Sequence, residues 1–162
     1  MSTRMPNRVL GVDPGFDRIG IAVLEKNEVL FSHCIETNRK APHSERLLQI
    51  GNEISEVIKK WKPTDLAIEN LFFNKSVTNA MKVAEARGVI IFEAACAKLK
   101  IFEYSPQAIK IAVTGYGKAD KKQVEIMVKK LVKIEERKTK KLDDELDAIA
   151  LCITHLASKR GI

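Results

Sequence analysis

Apolar positions follow two different spacings along the chain, one typical of strands and one typical of helices. Apolar runs rich in β-branched residues predict five strands, and the first three are separated only by short polar turns. The predicted strands are 8–13, 19–24, 29–37, 65–69 and 101–104. Apolar residues at helical spacing predict five helices, at 44–60, 79–99, 106–113, 120–132 and 143–159.

The element order βββαβαβααα predicts an α/β fold: a mixed five-stranded sheet, with three antiparallel strands and then a βαβαβ unit, flanked by helices. A chain of 162 residues without repeats or low-complexity segments predicts one domain, 1–162. No apolar run approaches the roughly 20 residues that cross a bilayer, so we expect a cytoplasmic protein without a membrane span. Cys34, Cys96 and Cys152 lie in apolar surroundings and are expected to be reduced core residues.

The charge balance favours a polyanionic partner. Lys and Arg total 28 against 21 for Asp and Glu, which gives a formal net charge of +7. Nucleic acid is the partner that such a balance most often indicates, although basic character alone is a weak signal. The helix predicted at 120–132 is strongly basic, and a charged linker is predicted at 135–141.

Asp13 ends the first predicted strand directly before Pro14 and Gly15. Its side chain shares a strand face with Val9 and Gly11, and a carboxylate beside a core is costly unless it is paired, hydrogen-bonded or bound to a metal. We expect Gly11 to leave open space there for ions. The alternative is that Asp13 only begins an Asx turn, and this stretch alone leaves both interpretations open.

Three further carboxylates extend this pattern. Glu69 ends the fourth strand as Asp13 ends the first, and Asp144 and Asp147, three residues apart, project from one face of the last helix. Asp143 has a simpler interpretation as the N-cap of that helix. Without an accompanying His or Cys cluster, four carboxylates form an all-oxygen set that suits Mg²⁺ or Mn²⁺ and could hold two ions for phosphodiester cleavage.

Six short motifs, in order, span almost the whole chain. They are GVDPG at 11–15, AIE at 67–69, ARG at 86–88, YSPQAIK at 104–110, GYGKA at 115–119 followed by Lys121 and Gln123, and DAIALCITH at 147–155. Together they resemble the RuvC family of bacterial Holliday junction resolvases. The resemblance implies an RNase H-like fold and a homodimer that nicks opposed strands of a four-way DNA junction during homologous recombination and repair.

The resemblance also implies roles for particular residues. The catalytic and metal-binding carboxylates would be Asp13, Glu69, Asp144 and Asp147, with Asp13 shared by the ions and Glu69 positioning the attacking water. Among the neighbouring acids 143–145, Asp144 is chosen by its spacing from Asp147. Two Mg²⁺ ions per site are expected, with Mn²⁺ as a possible substitute, and RuvA and RuvB are expected partners.

Basic and aromatic residues supply the expected DNA contacts. The predicted DNA-binding residues are Phe72, Lys110, Lys118, Lys121 and Lys122. Phe72 matches the family aromatic that engages bases near the crossover, and Phe73 is expected to anchor the loop to the core. Lys110 and Lys121 match family basic positions, whereas Lys118 and Lys122 could belong to a solvated helix face.

The helix predicted at 79–99 carries a stripe of small residues, which are Ala80, Ala84, Gly88 and Ala95. This stripe predicts a close neighbour, and a symmetry mate or the sheet remain equal alternatives. His155 is expected to be structural, and Arg87 is expected to pair with an acid or a phosphate.

Three other functions compete with junction resolution. A different RNase H-like nuclease, such as a YqgF-type RNA-processing protein, shares the first motif but not the Phe72 loop with the basic segment around Lys121. An actin-like ATPase or sugar kinase needs a second nucleotide-binding half, for which the chain is too short. An inert junction-binding module would be expected to lack at least one of the four carboxylates.

Overall fold

The computed structural model describes residues 6–71, 77–134 and 140–160. The strands are β1 (Arg8–Asp13), β2 (Arg18–Glu25), β3 (Glu28–Glu36), β4 (Asp65–Glu69) and β5 (Lys100–Tyr104). The helices are α1 (His43–Trp61), α2 (Val77–Cys96), α3 (Pro106–Thr114), α4 (Lys121–Leu131) and α5 (Lys140–Arg160). The predicted order of elements is confirmed, and the bounds of each element lie close to the predicted ones.

The five strands form one mixed sheet in the order β3-β2-β1-β4-β5. β1 pairs antiparallel with β2, which pairs antiparallel with β3. On its other side β1 pairs parallel with β4, which pairs parallel with β5. The predicted α/β class and mixed five-stranded sheet are therefore confirmed, and the carboxyl ends of β1 and β4 meet at one edge.

Helices cover both faces of the sheet, and strand alternation sends side chains into two separate cores. Leu10 and Val12 of β1 point towards the core that α1 and α2 complete. Val9 points towards the opposite core, where α5 contributes Ile149 and Cys152. Asp13 is in phase with Val9, as predicted, and therefore lies on the face that α5 covers.

The start of α5 differs from the prediction. Because α5 begins at Lys140, Asp143 lies in the first turn of the helix and is not its N-cap. A carboxylate in this turn still interacts favourably with the helix dipole. Of the predicted charged linker at 135–141, residues 135–139 lie outside the described part of the chain.

The cysteines differ in part from expectation, and part of the small-residue stripe faces outward from the chain. Cys34 and Cys152 are buried, but Cys96, the last residue of α2, is exposed, so its prediction as a core residue is wrong. Of the stripe on α2, Gly88 and Ala95 are exposed. α2 packs on α1 through a different face, because a Cβ on Gly51 would lie 3.1 Å from the Val89 side chain.

Among the described residues, no helix is both long enough and apolar enough to span a bilayer.

Candidate active site

Two carboxylates lie side by side because two parallel strands end together. Asp13 is the last residue of β1 and Glu69 is the last residue of β4. The register pairs Val12 with Ile68, so the next residues, Asp13 and Glu69, are neighbours on the same face. This confirms the predicted placement of both side chains at one edge of the sheet.

Glycines in β1 and β2 let α5 lie directly on the sheet. A Cβ on Gly11 would lie 2.3 Å from the Ala148 carbonyl oxygen, and one on Gly20 would lie 1.9 Å from that of Asp144. The expectation that Gly11 leaves open space for ions is therefore wrong, because α5 fills that space. Gly11 contributes to the site indirectly, by allowing the close approach that brings Asp144 and Asp147 to the end of β1.

The approach of α5 places three carboxylates close together. Asp13, Asp144 and Asp147 each offer an oxygen, and these oxygens lie within 4.8 Å of one another. Asp13, Glu69 and Asp147 line a cavity of about 220 Å³, together with Lys110 and Lys121. All four predicted carboxylates thus meet at one place.

Burial and mutual repulsion raise the pKa values of this cluster. Burial, followed by the negative charges of Asp147, Glu69 and Asp144, raises the pKa of Asp13 well above its ordinary value. Burial and the charge of Asp147 likewise raise the pKa of Glu69, and a hydrogen bond from Asp13 partly offsets this effect. Burial raises the pKa of Asp147 to about 6, although the ammonium of Lys121 opposes that shift. Such concentrated negative charge is what a divalent cation neutralises.

The three consecutive acids of α5, residues 143–145, have different orientations and different partners. Asp144 points into the cluster, where its Oδ2 lies 3.1 Å from Nε of Arg18 and accepts a hydrogen bond from Cys34 Sγ at 3.6 Å. The buried Glu145 instead accepts a hydrogen bond from the Ser32 hydroxyl at 3.4 Å. Asp143 is not part of the cluster that Asp144 joins. The geometry agrees with the choice of Asp144 that spacing alone suggested.

The predicted basic residues fall into two groups. Lys121 lies 3.6 Å from Asp147, and Lys110 lines the same cavity. Lys118 and Lys122 are exposed and do not line it. Phe72 and Phe73 lie outside the described residues.

His155 and Arg87 make structural contacts. His155 is fully buried between Asp65, whose Oδ2 lies 2.8 Å from Nε2, and Tyr104, whose hydroxyl donates to Nδ1 at 2.7 Å. Arg87 pairs with Glu103 at 3.1 Å. The expected structural role of His155 and the acid partner of Arg87 both agree with these contacts.

The sequence interpretation missed Arg18 and Cys34 as neighbours of Asp144. Arg18 follows Asp13 by five residues and begins β2 directly after the turn, where a cation is unremarkable. Its pairing with a residue of the last helix depends on the position of α5 over β2, which no local pattern encodes. An arginine next to the first acidic motif was the only available signal.

Comparison with known proteins identifies the family. The sequence model of the family described as crossover junction endodeoxyribonuclease RuvC matches residues 9–155. The chain belongs to the RuvC family. Its relatives include the RuvC of Halothermothrix orenii, 43% identical over 94% of this chain and 93% of the relative, and that of Finegoldia magna, 42% identical over 92% of each.

Solved RuvC structures share the fold. The structure of Thermus thermophilus RuvC superposes with a TM-score of 0.85 at 28% identity and covers 95% of this chain and 96% of that one. A second structure, T. thermophilus RuvC in complex with a Holliday junction substrate, gives a TM-score of 0.86 at 28% identity and covers 96% of both chains. The predicted RuvC family and RNase H-like fold are confirmed, and with them the class of crossover junction endodeoxyribonuclease.

Proposed function

We propose that the protein resolves four-way DNA junctions by metal-dependent nicking of two opposed strands. The observation that carries the proposal is the convergence of Asp13, Glu69, Asp144 and Asp147 at one edge of the sheet, beside Lys110 and Lys121. Membership of the RuvC family and the similarity to a RuvC structure with a Holliday junction support this substrate. The same family supports a place in homologous recombination and DNA repair.

The donor set fits divalent cations of the Mg²⁺ type. Its ligand atoms are carboxylate oxygens, and the pKa of Asp13 is raised first by burial and then by the negative charges of Asp147, Glu69 and Asp144. Asp13, Asp144 and Asp147 would hold one ion, and Glu69 with Asp13 would contribute to a second. Bound there, Mg²⁺ or Mn²⁺ would supply Lewis-acid stabilisation of the phosphate and lower the pKa of an attacking water.

The protein's own residues orient the DNA and the water. Glu69, at the end of β4, faces the cavity and would orient the attacking water by accepting its hydrogen bond. Lys110 and Lys121 would bind the phosphates that flank the scissile phosphate, since both residues line the same cavity. Lys118 and Lys122 would bind phosphates farther along an arm, and Phe72 would stack on bases near the crossover.

A homodimer would place two such sites on the two opposed strands. The exposed side of α2 supports this assembly, because it presents Met81 and Phe92, residues that are 58% and 65% exposed, on either side of Gly88. A Cβ on Gly88 would meet nothing within 4 Å, so the backbone of a second helix could approach closely. RuvA and RuvB are proposed as partners on the family resemblance alone.

Cleavage of defined substrates tests the proposal. The protein is incubated with a synthetic four-way junction, a linear duplex and an RNA–DNA hybrid in Mg²⁺ or Mn²⁺. We expect paired nicks in the junction and little cleavage of the other two. Asp13→Asn should lower the rate by about a hundredfold or more, since metal ions supply several kcal/mol of transition-state stabilisation.

Asp143→Asn is the matched control, because it removes a carboxylate from the same helix outside the cluster. It should cleave at nearly the wild-type rate, whereas Asp144→Asn should be as impaired as Asp13→Asn. Preference for the hybrid over the junction, or full activity of Asp13→Asn, would refute the proposal.

A further inference from the structure

Arg18 is a cationic side chain beside the acidic cluster that the proposed function leaves without a role. It is the first residue of β2, and its Nε lies 3.1 Å from Oδ2 of Asp144. Its side chain is 38% exposed, compared with 18% for Asp144. The Arg18 side chain is therefore accessible from solvent while it contacts the less exposed carboxylate of Asp144.

The fold holds Arg18 and Asp144 next to each other. Gly20, two residues after Arg18, lies so close to α5 that a Cβ there would overlap the Asp144 backbone. The Cys34 thiol, from β3, donates a hydrogen bond to the same Oδ2 that Arg18 contacts. Backbone contact and two side-chain partners thus fix the position of Asp144 and keep the Arg18 guanidinium within reach of its carboxylate.

Each carboxylate of the helical pair has its own cation. Lys121, from α4, lies 3.6 Å from Asp147, and Arg18, from β2, lies 3.1 Å from Asp144. The two cations come from different elements, and Arg18 does not line the cavity that Lys110 and Lys121 share. Arg18 would therefore reach a part of the bound strand that Lys110 and Lys121 do not.

A guanidinium binds a carboxylate and a phosphate with the same planar arrangement of N–H donors. The two anions therefore compete for Arg18. The guanidinium stays bound to the Asp144 carboxylate as long as that carboxylate is negatively charged and in contact with it. Neutralising Asp144, either by a bound cation or by substitution with Asn, weakens that ion pair. The same neutralisation removes part of the charge that repels a DNA phosphate.

We propose that Arg18 is a phosphate-binding residue of the active site, which exchanges Asp144 for a backbone phosphate of the bound strand once the charge of Asp144 is neutralised. The inference rests on the proposed nuclease function and adds a residue to it. Its consequence is that cation binding strengthens DNA binding through Arg18, so that the strand is held tightly only in a site ready to cleave it.

Four proteins in EDTA test the exchange: wild type, Arg18→Met, Asp144→Asn and the double variant. Binding of a labelled junction and of a linear duplex is measured by fluorescence anisotropy over a range of salt concentrations. In the wild-type background Arg18→Met should change Kd by less than about twofold, because Asp144 holds the guanidinium. In the Asp144→Asn background the same change should raise Kd by about tenfold, as expected for a lost charge-assisted contact.

The salt dependence separates a phosphate contact from a structural effect. Asp144→Asn should show a steeper slope of log K against log salt than the double variant, by about 0.9, the value expected for one phosphate contact on duplex DNA. Arg18→Lys in the Asp144→Asn background should keep most of the slope. Asp143→Asn is the control, since it removes a nearby charge that does not contact Arg18, and there Arg18→Met should have only the small wild-type effect.

Replacing EDTA with Ca²⁺ gives a second measurement that needs no change at Asp144. Arg18→Met should then weaken binding relative to wild type by about the same tenfold factor, because a hard cation now neutralises the carboxylate. Equal effects of Arg18→Met in the wild-type and Asp144→Asn backgrounds, or no effect in either, would overturn the proposal. If the effect of Arg18→Met depends on Asp144 on both DNAs and the protein does not prefer the junction, the phosphate-binding role of Arg18 is supported and junction resolution is contradicted. If the protein prefers the junction but the effect of Arg18→Met does not depend on Asp144, junction resolution is supported and the role of Arg18 is contradicted.

Discussion

Ionised carboxylates in the active site lower the stability of the folded protein. Asp13, Glu69 and Asp147 all have raised pKa values, first because of burial and then because of neighbouring carboxylates. At neutral pH each ionised carboxylate would have a lower free energy in water than in the folded protein, and the fold nevertheless holds the three together. Residues that conflict with stability in this way are typical of sites whose charge a ligand compensates.

The metal-free protein should therefore lose stability as pH rises. The folded-state pKa of Asp147 is about 6 against an ordinary value of 3.8, so its stabilising contribution is present below 3.8 and is lost as pH rises through about 6. We expect Asp147→Asn to reduce this loss by roughly 1–2 kcal/mol, a figure discounted because the side chain is partly exposed. Urea unfolding in EDTA at several pH values measures the difference.

Comparison of the two proteins cancels contributions from other groups. Burial lowers the pKa of His155, so its protonation at acidic pH destabilises the fold and acts in the opposite direction. Identical pH profiles for wild type and Asp147→Asn would contradict the expected strain in the acidic cluster. Saturating Mg²⁺ should raise the stability of the wild type more at pH 8 than at pH 5, because protons compete with the cation.

His155 shows the opposite case, a polar residue whose partners are all present. Substituting His155 with Ala should destabilise the fold by about 3 kcal/mol or more, since it opens a cavity and leaves the buried Asp65 with one partner fewer. Tyr104→Phe removes the hydroxyl that contacts His155 Nδ1 and, at a part-exposed position, Ser158 Oγ, and it should cost about 1 kcal/mol. Denaturant unfolding compares the two. Equal costs would show that the contact with Asp65 contributes little.

Among the elements, α5 determines the site more than any strand does. It crosses β1 and β2 at two glycines, carries two of the four carboxylates and buries Cys152 against the sheet. The separation between this helix and the strands is set by the absence of side chains at Gly11 and Gly20. Small changes in that separation should move Asp144 and Asp147 relative to Asp13.

Gly11→Ala tests the close approach. Its Cβ would lie 2.3 Å from the Ala148 carbonyl oxygen and 2.6 Å from Cys152 Sγ, so α5 must move. We expect a loss of about 3 kcal/mol or more in the free energy of unfolding, at the upper end of overpacking effects, together with weaker Mn²⁺ binding. Denaturant unfolding measures the free energy of unfolding, and isothermal titration calorimetry measures Mn²⁺ binding.

Adding Cys152→Ala should not restore the stability or the Mn²⁺ binding of the Gly11→Ala variant. That second change removes the sulfur, but the nearer contact is with the backbone oxygen of Ala148, which no side-chain substitution removes. Full rescue by Cys152→Ala would mean that the thiol alone limits the approach of the helix.

At the scale of the whole molecule, the two layers of helices differ in what they present: one covers the face of the acidic cluster, and the other exposes apolar side chains. α3, α4 and α5 cover the face that carries the acidic cluster, whereas α1 and α2 cover the other face. α2 leaves large apolar side chains exposed, including Met81 and Phe92. An exposed apolar surface beside a close-approach glycine favours self-association, and it leaves the acidic face free for DNA.

Phe92→Glu should therefore convert a dimer into a monomer at micromolar concentration. Sedimentation velocity measures the mass, and a junction cleavage assay should show single nicks for Phe92→Glu, in contrast to the paired nicks proposed for the wild type. Ile126→Glu is the matched control, because Ile126 is 45% exposed on α4, in the opposite layer. Monomers in both variants, or in the wild type, would contradict the proposed interface.

Local patterns were sufficient for the elements of this fold and for the candidate carboxylates. Strand and helix periods depend only on neighbouring residues, and a carboxylate that ends an apolar strand, as Asp13 and Glu69 do, is recognisable without a partner. The three-residue spacing from Asp147 then supplied the choice of Asp144, and the all-oxygen set supplied the expected metal chemistry. The start of α5 was less predictable, because charged residues before Asp143 fit a linker and a helix equally well.

Other features depended on contacts between residues far apart in the chain. Gly11 was expected to leave space, and its real role followed only from the position of α5, which lies more than a hundred residues later. The pairing of Arg18 with Asp144 and the exposure of Cys96 arose in the same way. Periodicity tells which face of an element a side chain occupies, but packing of the complete chain decides what lies opposite that face and how closely it approaches.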